Sequence, residues 1–141
     1  LVEGDSRILF ASTHQMPLYP GTGHAHETGV YENVINCPLP EGAGRKAFRA
    51  VMESQILPAV DRWAPEFLLI SAGFDAHKAD PLAGMKLIEA DFSWVTERLC
   101  ELASKHCQGR VVSCLEGGYD LEALAASAVA HVKVLKEQTN G

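Results

Sequence analysis

Short apolar runs alternate along the chain with longer amphipathic stretches, and this alternation predicts strands and helices in turn. Each short run is rich in β-forming residues and ends in Gly, Pro or a small polar residue, as buried strands do. The runs cover residues 7–12, 33–39, 66–73 and 109–118. Because they lack a polar face, we expect these strands to be buried on both faces, as in a parallel sheet.

The longer stretches have an apolar stripe spaced for a helix, with charged residues on the opposite side. They cover residues 48–63, 92–103 and 121–135. Pro58 lies within the first of them and should kink or shorten that helix near Leu57. Strands that alternate with such helices predict the fold class α/β, with a parallel sheet and helices on both of its faces. No repeat or linker divides the 141 residues, so we expect a single domain.

The stretch FLLISAGFDAHKADPLAG, residues 67–84, begins as a predicted buried strand. Two carboxylates, Asp75 and Asp80, follow that strand. Ligands bind to parallel sheets outside the carboxyl ends of the strands. The segments to search are therefore residues 13–29, 74–84 and 117–119. A carboxylate at the tip of a core strand requires a partner, because burying an unpaired charge is costly.

Composition and charge narrow the classes of function. With 47% hydrophobic residues, the chain has enough apolar material for a core. The net charge is −6 and the longest basic run is the pair Arg45 and Lys46, which argues against direct binding to nucleic acid or to an anionic membrane. A helix needs about 20 apolar residues to span a bilayer, and no apolar run in the sequence approaches that length. Residues 1–10 do not resemble a secretory signal, so we expect a cytoplasmic protein.

Neither the cysteines nor the loop histidines form a recognisable metal motif. The four cysteines are well separated, so we expect free, buried thiols in a reducing compartment. His24 and His26 could pair on a metal, but their loop is rich in turn residues, which favours surface histidines. The Pro-Gly-Thr-Gly loop at residues 20–23 lacks the Lys and Ser that a phosphate-binding loop needs.

The segment LEGGYD, residues 115–120, has two glycines that let the backbone turn sharply before Tyr119. One interpretation is a helix entry, in which Asp120 is the N-cap of the last helix. The other interpretation is a phenol held rigidly over a cleft. The residue pattern alone leaves both of them open.

Three motifs together resemble the C-terminal part of the zinc-dependent histone deacetylase superfamily: STHQMPLYPGTG, SAGFDAHKADPLAG and CLEGGYD. The likeness is greatest to bacterial and class II members, which include acetylpolyamine amidohydrolases and acetoin-utilisation proteins. It implies an arginase/deacetylase-like fold with a parallel α/β sheet. It also implies that residues 1–141 are the C-terminal part of one catalytic domain whose N-terminal part is absent.

The resemblance implies a role for both residues that raised questions above. Asp75 matches the family's last zinc ligand, so the partner of this carboxylate would be a metal ion. Tyr119 matches the catalytic tyrosine whose hydroxyl donates to the substrate oxyanion. A phenol can do so because it stays protonated at neutral pH. His77 makes a tempting Asp-x-His pair with Asp75, but the match places it outside the ligand set.

The resemblance also assigns the surroundings of the metal. It places four residues along the substrate channel: Tyr19, Leu82, Gly117 and Gly118. Ser12 and Thr13 match a segment that helps to bind a structural monovalent cation, K⁺, largely through main-chain oxygens.

The implied function is zinc-dependent hydrolysis of acetyl-amide bonds with release of acetate. The substrate would be acetyl-lysine in proteins or a small acetylated amine such as an acetylpolyamine. The family takes its other two zinc ligands from an Asp-x-His-His-Gly segment, which does not occur in these 141 residues. Its tandem histidines, which act as general base and acid, also lie upstream in the family, and no His-His pair occurs here. We therefore expect activity as part of a longer enzyme and none from this chain alone.

Two other hypotheses stay open. The chain could be a catalytically dead α/β module that binds an acyl-lysine or a protein partner. A nucleotide-binding hypothesis rests only on the general α/β layout and the glycine loops. A homo-oligomer is compatible with each of these functions.

Overall fold

The computed structural model describes residues 2–138, with four strands at the predicted places. The strands are β1 (Phe10–Gln15), β2 (Val34–Leu39), β3 (Leu68–Ala72) and β4 (Val111–Leu115). The predicted bounds of β1 are wrong, because this strand runs through the polar residues up to Gln15. Its hydrogen bonding to β2 carries it that far, since Gln15 lies opposite Leu39. Main-chain pairing thus outweighs the change from apolar to polar side chains.

The strands are parallel, as predicted, but they form two pairs. β1 pairs with β2, and β3 pairs with β4 with Leu68 opposite Val111. Within residues 2–138 no hydrogen-bonded ladder joins one pair to the other, so the described strands do not form one continuous sheet. The class α/β with parallel strands is confirmed.

Helices occupy the three predicted stretches. They are α1 (Arg45–Val51), α2 (Leu57–Trp63), α3 (Glu89–Cys107) and α4 (Leu121–Gln138). A π-helical segment, Met52–Ile56, joins α1 to α2 without a break. No helix within residues 2–138 is of the length and apolar character that a membrane crossing requires.

Pro58 does not shorten the first helical stretch, which continues beyond it. Proline has no N–H to offer to the carbonyl four residues earlier, and its ring crowds that carbonyl. The wider π-helical turn before Pro58 provides an alternative, because the N–H of Leu57 donates to the carbonyl of Met52, five residues back. The helix therefore changes its hydrogen bonding near Leu57 and continues to Trp63.

The prediction that β3 and β4 are buried on both faces is wrong for the described structure. Leu68 and Ile70 pack against the core, together with side chains of α3 and α4. The alternate residue Leu69 is 62% exposed, and Val112 beside it on β4 is also exposed. The described helices cover only one face of this strand pair. The same reason corrects the prediction for Cys114, which is exposed on β4, whereas the other three free thiols are buried.

Phe74 anchors the loop after β3 in the hydrophobic core. Its ring lies edge-on to that of Phe92 in α3, with 5.1 Å between the ring centroids. It also meets the ring of His131 in α4 at 5.9 Å. Because Phe74 directly precedes Asp75, this packing fixes the point at which the chain leaves the strand.

His131 joins three elements through a buried hydrogen-bond network. The hydroxyl of Thr96 in α3 donates to the carbonyl of Phe92 at 2.6 Å, so it accepts from Nδ1 of His131 at 2.7 Å. The hydroxyl of Ser113 in β4 is 2.8 Å from Nε2 and donates to it. Burial lowers the pKa of His131. The imidazole is therefore neutral, with its proton on Nδ1.

This network predicts that the free energy of unfolding falls when the pH drops from 7.5 to 5.5. An unfolded histidine, with a pKa of about 6.5, takes up a proton in this range. The folded state resists doing so, because the pKa of His131 is lowered. The unfolded state gains the protons, so acid destabilises the protein. Urea unfolding of the complete protein at both pH values should show a smaller pH dependence in His131→Asn than in the parent.

A matched control is His106→Asn, which changes a histidine on α3 that bonds to Asp61 at 2.7 Å near the surface. His131→Asn should lower the free energy of unfolding at both pH values, because the network loses a partner. An unchanged difference between pH 7.5 and pH 5.5 in His131→Asn would contradict the prediction.

Candidate functional site

The ends of β3 and β4 bring Asp75 against the backbone of Gly117. The strand ladder continues past both strands, since Glu116 N donates to Ala72 O at 3.0 Å and Phe74 N donates to Gly117 O at 2.8 Å. A Cβ added at Gly117 would lie 2.7 Å from Cγ of Asp75. Only glycine leaves room for the carboxylate there. The two motifs that contain these residues therefore meet in one site, although Asp75 and Gly117 are 42 positions apart in the printed sequence.

Asp75 is a half-buried carboxylate without a cationic side chain paired to it in residues 2–138. Burial is the main cause that raises the pKa of Asp75, and the negative charge of Asp80 raises it further. Hydrogen bonds from the main-chain N–H groups of Asp75 and Ala76 lower it, so ionised Asp75 has partial compensation and lacks the remainder within the described chain. A bound cation would supply it, because a cation next to a carboxylate favours the charged form.

The described residues do not form a complete metal site on their own. Residues 2–138 contain no group of three His, Cys, Asp or Glu side chains that could hold a metal ion. A catalytic zinc site takes three protein ligands and leaves one position open. Asp75 fits as one of those ligands, and a zinc site here requires the others from outside the described residues.

Tyr119 follows a tight turn at the start of α4. Gly118 has a φ of +137°, a conformation that side chains rarely adopt. Asp120 accepts a hydrogen bond from Ala123 N at 2.8 Å, so its predicted role as N-cap of α4 is confirmed. Tyr119 is 55% exposed, which leaves its phenol accessible. The helix entry and an accessible phenol are thus both features of this turn.

The sequence analysis singled out Asp80 without assigning it a role. Its Oδ1 accepts from the N–H groups of Leu82 at 2.9 Å and Ala83 at 3.2 Å. Its Oδ2 accepts from the N–H of Tyr119 at 2.9 Å. The Asp-Pro pair at residues 80–81 is typical of the start of a turn, which accounts for the local bonds. No local signal could have shown the bond to Tyr119.

The proposed channel residues do not all lie in the cluster at the ends of β3 and β4. Leu82 lies next to it and is exposed, and Gly117 and Gly118 form its backbone. Tyr19 lies in the loop after β1, where it is 98% exposed. One hydrogen bond connects the end of β1 to the cluster, since Gly84 N donates to Oε1 of Gln15 at 2.7 Å.

The side chain of Ser12 in β1 takes part in a contact with the glycine loop. Its hydroxyl is 3.0 Å from Nδ1 of His14, and Nε2 of His14 donates to the carbonyl of Gly23 at 2.9 Å. Thr13 is paired in the strand ladder opposite Cys37. The assignment of Ser12 and Thr13 to a monovalent cation stays a prediction.

Three further histidines have other surroundings. His77 is buried, its Nδ1 accepts from Ala79 N at 3.1 Å, and its Nε2 is 3.5 Å from Oε1 of Glu89. Nε2 of His77 has no hydrogen-bond partner among the described residues. His24 and His26 are exposed and their rings stack with centroids 5.3 Å apart, in agreement with surface histidines.

Comparison with known proteins identifies a family. The family described as "Histone deacetylase domain" matches residues 1–135. A "Probable deacetylase" of Archaeoglobus fulgidus is 44% identical over 121 residues, which are 84% of this chain and 34% of that protein. The chloroplastic histone deacetylase 10 of Oryza sativa subsp. japonica is 44% identical over 126 residues, which are 87% of this chain and 28% of that protein. The chain thus spans about a third of the length of these relatives.

The fold agrees with this match. The crystal structure of the HD domain of HDA15 superposes with a TM-score of 0.87 at 35% identity, covering 95% of this chain and 39% of that one. The expected arginase/deacetylase-like fold is confirmed by this likeness. The chain belongs to the histone deacetylase family.

Proposed function

We propose that this chain supplies one wall of the active site of a longer zinc-dependent enzyme that hydrolyses acetyl amides. The observation that carries the proposal is the position of Asp75. It is a half-buried carboxylate at the end of a strand, held against Gly117 and lacking a cationic partner in residues 2–138. Membership of the histone deacetylase family supports deacetylase chemistry at this place.

Asp75 and Tyr119 have separate tasks in this proposal. Asp75 is the ligand that this chain contributes to the metal. Bound zinc would supply a Lewis acid for the acetyl carbonyl. Tyr119 donates a hydrogen bond from its hydroxyl to the oxygen on which negative charge develops during attack on that carbonyl. The turn at Gly118 and the hydrogen bond that the N–H of Tyr119 donates to Asp80 hold Tyr119 beside the strand end.

The substrate in this proposal is an acetylated amine that enters along exposed side chains. Tyr19 and Leu82 present apolar surface to solvent, which suits the aliphatic part of an acetyl-lysine or of a small acetylated amine. Ser12 and Thr13 would contribute to a K⁺ site at β1. The cytoplasm is the proposed location, and neither nucleic acid nor a membrane is a proposed partner.

Residues 1–141 act, in this proposal, as the C-terminal part of one catalytic domain. The chain spans about a third of its relatives' length. Asp75 is one zinc ligand where three are needed. The histidines that would activate water are expected in the remaining part of the domain.

The test compares the complete protein with the isolated chain. With zinc present, the complete protein should release acetate from an acetyl-lysine peptide or from acetylspermidine, and the isolated chain of 141 residues should release none. A chelator should abolish the reaction, and added zinc should restore it. Acetate is measured by a coupled assay. A complete protein that binds an acetyl-lysine peptide but releases no acetate from either substrate would favour the catalytically dead module.

A further inference from the structure

Asp80 connects the two segments on which the proposed site depends. Its two carboxylate oxygens are divided between them, since Oδ1 accepts from Leu82 and Ala83 and Oδ2 accepts from Tyr119. All three donors are main-chain N–H groups. Hydrogen bonds to an ionised carboxylate are about twice as strong as those between neutral groups. A single side chain thereby links the loop after β3 to the start of α4.

The position of Tyr119 depends on this bond because little else holds its main chain. The residue lies between Gly117, where the ladder with Phe74 ends, and Asp120, which caps α4. Its side chain is largely exposed, so packing contributes little to its orientation. The bond to Asp80 crosses 39 positions of sequence and joins Tyr119 to the same loop that carries Asp75.

We propose that Asp80 is a positioning residue, which holds Tyr119 and Leu82 in fixed places relative to Asp75. This inference rests on the proposed function, because it assigns Tyr119 the oxyanion donor role. Asp80 itself does not touch the substrate. It acts through the backbone of Tyr119, and misplacing a catalytic group by about 1 Å can cost about 100-fold in rate.

Asp80→Asn is the informative variant. An amide keeps the size of the side chain but has one acceptor oxygen, so it can serve either the loop or Tyr119 and not both. In the complete protein, kcat should fall about 10- to 100-fold. Zinc content should be unchanged. The matched control is Asp120→Asn, which removes the same charge one residue from Tyr119 and keeps a good N-cap. That control should leave kcat within about twofold of the parent value.

A double-mutant cycle tests whether Asp80 acts through the phenol. Where two residues act as a unit, their effects are not additive. Asp80→Asn should therefore have little effect on kcat when it is introduced into Tyr119→Phe. An equal fall in kcat in both backgrounds would overturn the inference, because Asp80 would then act independently of Tyr119.

Amide hydrogen exchange provides a readout that needs no activity. The Tyr119 N–H should be protected in the parent protein, and Asp80→Asn should increase exchange at Tyr119 or at Leu82 and Ala83. A rapidly exchanging Tyr119 N–H in the parent would overturn the inference even if the variant does not fold. Failure of the proposed function has a different signature, namely protection of this N–H in a protein that releases no acetate or that keeps the parent kcat in Tyr119→Phe.

Discussion

Tyr119→Phe is expected to lower kcat of the complete protein by about 100- to 1000-fold, the cost of removing one oxyanion donor. The change removes the hydroxyl and keeps the ring. The bond between Asp80 and Tyr119 uses the main-chain N–H, so it survives the substitution. The φ of +137° at Gly118 and the N-cap at Asp120 are equally unaffected. The turn should therefore present the ring as before, without its donor.

The measurement is steady-state hydrolysis of an acetyl-lysine peptide, with zinc content and Tm recorded on the same samples. Tyr31→Phe is the matched control, because Tyr31 is a comparably exposed tyrosine in the loop before β2. Zinc content and Tm should stay at the parent values in both variants. If Tyr119→Phe keeps the parent kcat, Tyr119 is only a helix-entry residue.

The strand regions and the parallel direction followed from the alternation of short apolar runs with longer helical stretches. The exposure of the strands did not. Leu69 and Val112 lie on a face that no described helix covers, although their apolar character predicts burial. Burial depends on which element packs over a strand, and the side chains of the strand do not specify that element. The π-helical segment before Pro58 likewise reflects how a helix relaxes around a missing donor.

The candidate site, like the fold, was predictable from the sequence only in part. Asp75 and Gly117 belong to motifs that can be recognised in the sequence, and the structure places them in contact. Asp80 was visible only as a second carboxylate before a proline. Its bond to Tyr119 depends on the pairing of β3 with β4, which brings distant segments together. Contacts of this kind arise from topology, so a local pattern carries no trace of them.

Asp75→Asn should remove most of the bound zinc and nearly all activity from the complete protein. An amide oxygen is a weaker ligand than a carboxylate and carries no charge to balance the metal. Changing a residue that merely supports a zinc ligand typically costs about 10- to 100-fold in affinity or activity, so loss of a ligand should cost at least that much. Elemental analysis measures the zinc, and full occupancy in Asp75→Asn would contradict the assignment.

The metal-free protein should respond to Asp75→Asn in the opposite direction. The raised pKa of Asp75 means that the folded state disfavours the charged carboxylate, mainly through burial. An unfolded aspartate ionises near pH 3.9, so the penalty is absent below that pH and is present at pH 7. Asparagine removes it, and the Tm of the metal-free variant at pH 7 should equal or exceed that of the metal-free parent.

Asp61→Asn is the control with the reverse sign. Hydrogen bonds from Lys105 and His106 lower the pKa of Asp61, so its charge stabilises the folded state above pH 4. Asp61→Asn should lower Tm at pH 7, and the loss should be small because the ion pairs of Asp61 are exposed. The zinc content should be unchanged. A carboxylate kept for stability behaves like Asp61. A carboxylate kept for a metal destabilises the empty protein and stabilises the loaded one, and a Tm that falls in metal-free Asp75→Asn would place Asp75 in the first class.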